Sequence, residues 1–126
     1  MEGYKVNIAY TSKDLSAKER IMIKDTGDAQ SLDALTQDGP LMIGYAWHAI
    51  LDVHNEKSSS KDYRKVIIVD KEGKKYVTGS EAFLDALTDI VDEMTEAGEG
   101  DNIQLNVYRR ESKNYAGKSF ITCSLI

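Results

Sequence analysis

The residues of this chain best suited to chemistry are cations and aromatics, and they fall in two stretches. Lys57, Lys61, Tyr63, Arg64, Lys65, Lys71, Lys74, Lys75 and Tyr76 lie in the first; Tyr108, Arg109, Arg110, Lys113, Tyr115, Lys118 and Phe120 lie in the second. Holding a single-stranded nucleic acid needs positive charge along the backbone and flat rings on which bases stack, and both stretches interleave the two. The expected stacking residues are Tyr63, Tyr76, Tyr108, Tyr115 and Phe120. The expected phosphate contacts are Lys61, Lys65, Lys75, Arg110, Lys113 and Lys118. The competing reading is structural, because tyrosine is also common in strands.

Other chemistries find less support. His48, Asp52 and His54 share one face of a straight strand and are of metal-ligating type. They lack a fourth ligand and match no standard spacing, so they read as a polar strand face. Cys123 is the single cysteine and reads as a small buried hydrophobe. No phosphate-cradling glycine loop and no Gly-x-Ser-x-Gly elbow occurs. The expectation is a protein that is not an enzyme, with no metal and no cofactor.

Charge is unevenly distributed. From Ser80 to Asp101 every charged residue is acidic: Glu81, Asp85, Asp89, Asp92, Glu93, Glu96, Glu99 and Asp101. That block carries −8 against a net charge of −5, so the remaining residues sum to +3. A negative total counts mildly against nucleic-acid binding, but the basic residues are segregated from the acidic block. The chain has 126 residues, 41% of them hydrophobic and 29% charged, as one globular domain would. It shows no membrane-spanning run and no secretory leader. With one cysteine, this points to the cytoplasm.

These residues need elements to position them. Ser80–Glu96 is the long helix: Phe83, Leu84, Leu87, Ile90, Val91 and Met94 recur on one face, Ser80 caps it, and Gly98 and Gly100 end it. Strands are expected at Leu41–Val53, Tyr63–Val69, Lys75–Thr78, Asn102–Arg110 and Ser119–Leu125. In the first, Leu41, Ile43, Tyr45, Trp47, Ala49, Leu51 and Val53 fall on one side, and Gly44 lets the strand bend. Ile103, Leu105, Val107, Ile121, Cys123 and Leu125 face the core in the last two, with Tyr108 opposite. Three strands, a helix and two strands is the order of an OB-fold, a partly open barrel that holds oligonucleotides on its second and third strands and neighbouring loops. The fold class is therefore mainly β with one principal helix (α+β), an OB-fold-like five-stranded barrel with the helix between strands three and four. Residues 40–126 form the barrel and residues 1–39 an N-terminal extension of the same domain. The extension holds a short strand or extended arm at Tyr4–Tyr10, a short helix at Asp14–Lys24 with the capping-box pair Ser16 and Glu19, unless the β-branched Ile21 and Ile23 begin a strand instead, a turn at Asp25–Asp28 and a helical turn at Ser31–Leu35.

Three segments carry a resemblance. SKNYAGKSFITCSLI resembles the C-terminal hairpin, and KKYVTGSEAFLDALTDI the strand-into-helix junction, of small single-stranded DNA-binding proteins encoded by phages and mobile elements of Gram-positive bacteria. Both follow a strand of the type YAWHAILDVHNE. The resemblance spans roughly residues 40–126. It implies an OB-like fold and sequence-tolerant binding of single-stranded DNA during replication or recombination. The alternative is a small phage-type protein that binds and inhibits a host protein through the acidic helix, residues 80–101. The partners expected are thus single-stranded DNA and a protein at the acidic helix, with self-association left open and no membrane.

Overall fold

A computed structural model describes residues 4–56, 62–111 and 119–126. The elements run β1 (Tyr4–Thr11), α1 (Ala17–Lys24), β2 (Gln30–Ser31), α2 (Leu32–Leu35), β3 (Leu41–Asn55), β4 (Asp62–Asp70), β5 (Lys75–Thr78), α3 (Glu81–Glu96), β6 (Gln104–Glu111) and β7 (Ser119–Leu125). The chain is mainly β, a curled half-barrel with a helix, consistent with an OB-like α+β fold. Its sheet has the order β2-β5-β4-β3-β6-β7, with β1 pairing to β3. Every pairing is antiparallel except β2 with β5.

The sheet holds seven strands rather than the expected five, and the difference comes from residues 1–39. The expected extension is woven into the sheet. β1 runs along the C-terminal half of β3, from Tyr4 opposite Asn55 to Thr11 opposite Ala49. β2 pairs with β5, and Leu32 of α2 is fully buried. The capping box of α1 forms, with Ser16 Oγ accepting from Glu19 N and Glu19 Oε1 accepting from Ser16 N. Among the described residues the two ends of the sheet, β2 and β7, do not pair with each other, so the barrel is not closed by a strand ladder.

One further expectation fails for a local reason. β3 does not keep one apolar face. Tyr45 lies opposite Asp70 and Trp47 opposite Val69, so Ala46 is an extra residue in the ladder. Such a bulge shifts the side-chain alternation by one and sends every later residue to the other side. Leu41, Ile43 and Tyr45 therefore pack with Val66, Ile68, Phe83, Leu87, Ile103, Leu105, Val107 and Ile121 under α3. Trp47, Ala49, Leu51 and Val53 pack on the opposite face with Ile67, Val69, Val6, Ile8 and Ile23 of α1. At the far end Leu125, expected inside, is 43% exposed, because it is the last residue of an edge strand.

α3 starts at Glu81 because the Ser80 hydroxyl accepts from Phe83 N at 3.2 Å. The same hydroxyl donates to the carbonyl of Ile121 on β7 at 2.7 Å. One side chain thus caps the helix and ties it to the sheet edge. Ser80→Ala should cost about 2 kcal/mol of stability, summing a lost cap and a lost hydrogen bond. Ser80→Gly restores most of the cap but not the tie, so urea melts of both variants separate the two contributions. A loss below about 0.5 kcal/mol for alanine, the range of an ordinary surface change, would refute this role.

Candidate nucleic-acid interface

The β6–β7 register places the candidate residues. Leu105 and Val107 turn toward α3, so Gln104, Asn106, Tyr108 and Arg110 turn away from it. Opposite them Phe120 faces Arg110 and Thr122 faces Tyr108. Tyr108 and Phe120 are diagonal neighbours, a separation of about 7–8 Å in an antiparallel pair. Both are half-buried, and neither belongs to the apolar core on either face. Arg110 is exposed and makes no ion pair among the described residues. The patch therefore offers two rings and a free guanidinium on one surface.

Tyr63 and Lys65 project from β4 on the same side of the sheet, away from α3. Tyr63 lies opposite Val53, which the bulge has sent to that side, and Lys65 lies opposite Leu51. The Lys65 ammonium stands 5.8 Å from the centre of the Tyr63 ring. His54 stands at the root of the β3–β4 connection, with Nδ1 2.7 Å from Asp62 and Nε2 2.7 Å from Glu56. Asp62 first, then Glu56, hold its pKa above the ordinary imidazole value.

Hydrogen bonds tie the end of the β6–β7 hairpin to α2 and to the end of β5. Arg109 donates to Ser119 Oγ at 3.2 Å and to the carbonyl of Asp33 in α2 at 2.7 Å. Asp33 in turn accepts from Thr78 at the end of β5, and Thr78 pairs with Val66 of β4. With the Ser80 tie to Ile121, these bonds join the start of β4, the end of β5 and the β6–β7 ends at the N-terminus of α3. Residues 57–61 and 112–118 connect β3 to β4 and β6 to β7 in the sequence. Lys61, Lys113, Tyr115 and Lys118 lie in them, outside the described residues.

Two expected contacts are committed elsewhere. Tyr76 is 8% exposed within the core under α3, and its hydroxyl donates to Asp70 at 3.2 Å. A ring so placed has no free face for a base. Asp70 also accepts from Glu72 N and Lys74 N, shaping the turn where Gly73 takes φ +88°. Lys75 donates to the carbonyls of Met22 and Asp25 at the C-terminal end of α1 and pairs with Asp28. Its charge offsets the helix dipole there, and its side chain is only 9% exposed.

The model of a family described as phage single-stranded DNA-binding protein matches residues 4–126. The chain belongs to that family. No curated protein and no solved structure matches it. The family match reaches back through β1 and α1, so it includes the residues that the sequence alone sets apart as an extension.

In this family member one aromatic station escapes a reading of the sequence. Trp47, the single tryptophan, is half-buried on the face away from α3, with the Lys13 ammonium 4.9 Å from its ring centre. Glu19 holds that ammonium at 2.7 Å. Beside the ring a groove of about 240 Å³ runs between α1 and the β4–β5 turn, lined in part by Met22, Val69 and Lys75. Strict alternation assigns Trp47 to the main core, and only the bulge at Ala46 turns it out. Among the described residues no group of three His, Cys, Asp or Glu side chains is placed to hold a metal, and no helix is long and apolar enough to cross a membrane.

Proposed function

We propose that this chain binds single-stranded DNA with little sequence preference, in phage or mobile-element replication or recombination, through the sheet face turned from α3. The observation that carries this is the patch of Tyr108, Arg110 and Phe120, two rings and a cation with no ion pair among the described residues, outside both cores. Family membership and the OB-like half-barrel support the reading. The strand backbone passes along this face, and Lys61, Lys113, Tyr115 and Lys118 contact it. Tyr63 with Lys65 forms a second stacking station. Binding of this kind is positioning and charge neutralisation, with no bond made or broken.

Salt dependence tests the proposal directly. Each phosphate neutralised contributes about −0.7 to the log–log slope of affinity against salt for a single strand. Arg110→Ala should make the slope for oligo-dT shallower by about 0.7 while leaving the melting temperature near wild type. An unchanged slope removes Arg110 from the surface, and preference for double-stranded DNA in the same titration refutes the proposal.

A further inference from the structure

On the opposite side of the sheet a cavity of about 320 Å³ opens between α3 and β3, walled by Tyr10, His48, Ile50, Thr88, Val91 and Asp92. His48 is its most buried wall, 2% exposed, whereas Tyr10 is 48% exposed. The two rings stand 5.6 Å apart at an angle of 51°.

Hydrogen bonding behind the imidazole fixes what it presents to the cavity. Tyr45 donates its hydroxyl proton to Ser12 Oγ at 3.1 Å. Tyr45 Oη also lies 2.6 Å from His48 Nδ1, so that nitrogen of the ring is already engaged. Nε2 has no hydrogen-bond partner among the described residues. Burial keeps this ring neutral, its pKa pushed down to about 4.

The cavity thus offers the second ring nitrogen of His48, the Asp92 carboxylate and the face of Tyr10. It opens on the most acidic surface of the molecule. Glu81, Asp85, Asp89, Asp92, Glu93, Glu96, Glu99 and Asp101 are all exposed, and none makes an ion pair among the described residues. Such a surface repels phosphate and attracts cations.

We propose that the α3–β3 cavity takes an arginine or lysine side chain from a basic segment of a protein partner. The cation lies over the Tyr10 ring and donates to Asp92 and to His48 in the tautomer that leaves Nε2 unprotonated, while the neighbouring carboxylates attract the rest of the segment. The partner is a protein because the surface rejects nucleic acid. Its site lies on the middle turns of α3, around Thr88 and Asp92, on the side of the sheet opposite the Tyr108, Arg110 and Phe120 patch. The two surfaces are therefore separate, and this inference does not depend on the DNA reading.

The test is an NMR titration of the full chain with a hexapeptide of alternating arginine and glycine. Saturable shifts are expected at the amides of Tyr10, Thr88 and Asp92 and at the His48 ring. Asp92→Asn and Tyr10→Ala should each weaken binding about threefold or more, the scale of one exposed cation–π or ionic contact. Glu99→Gln removes equal charge away from the cavity and should weaken it less. Equal effects of Asp92→Asn and Glu99→Gln, with shifts spread over residues 81–101, would mean general charge attraction and overturn the site. Absence of saturable shifts overturns it as well. A chain that self-associates on its own and is dissociated by Asp92→Asn would make the occupant a second copy, which overturns the partner assignment.

Discussion

Replacing Tyr108 and Phe120 together with alanine should cost roughly 2–6 kcal/mol of single-strand binding. Each stacked base contributes about 1–3 kcal/mol by alanine substitution, and both rings lie on one surface, on paired strands. Stability should change by no more than about 1 kcal/mol, because neither ring fills the apolar core on either face. Truncating one buried aromatic would instead cost about 3–5 kcal/mol of stability, and Phe83, fully buried under α3, is the fitting comparison. Thermal melting and an oligo-dT titration on the same double variant decide between the two roles. A stable variant with wild-type binding removes this patch from the interface and shifts attention to Tyr63 and Trp47.

Acid should unfold the protein partly through one histidine. The folded state holds His48 neutral, its pKa pushed from 6.5 down to about 4 by burial. The unfolded chain binds that proton more readily between the two values, so stability falls as pH drops from 6.5 toward 4 and levels off below. A shift of this size corresponds to roughly 3 kcal/mol, at about 1.4 kcal/mol per pKa unit. Urea unfolding at pH 7 and pH 4 should show wild type losing roughly that much more than His48→Gln, since the carboxylates titrate in both proteins. His54 behaves oppositely. Its carboxylate neighbours raise its pKa, so its contribution is present at low pH and fades as pH rises through the folded value. The two ring signals should therefore titrate on opposite sides of 6.5 by NMR. A His48 signal titrating near 6.5 would refute the buried, neutral assignment.

Much of the secondary structure follows from local pattern. The Ser80 cap and the spacing of Phe83, Leu87 and Val91 determine α3, because helix periodicity and capping act within a few residues. Alternation places Leu105 and Val107 inward and Tyr108 outward, as the β6–β7 register shows. Asp70 and Gly73 make the β4–β5 turn, and Ser16 with Glu19 starts α1, also by contacts between near neighbours.

Other features depend on residues far apart in the chain. The bulge at Ala46 arises from the fit of β3 to β4, and it decides which face carries Trp47, Ala49, Leu51 and Val53. Tyr76 and Lys75 have the composition of a binding site, but their partners Asp70, Met22, Asp25 and Asp28 are set by how α1 and the turn pack. The first strand has no signature of its destination, since β1 finds β3 across more than 35 residues. The Tyr45–His48–Ser12 network joins residues 33 and 36 positions apart, a pairing no sequence pattern encodes. Thus the sequence by itself determines the helices, most strands and the two kinds of surface, acidic and basic–aromatic, because periodicity, caps and charge are local properties. Only the tertiary structure decides which aromatic rings have free faces and which lysines are already paired, because burial and pairing are properties of residues that meet only in the fold.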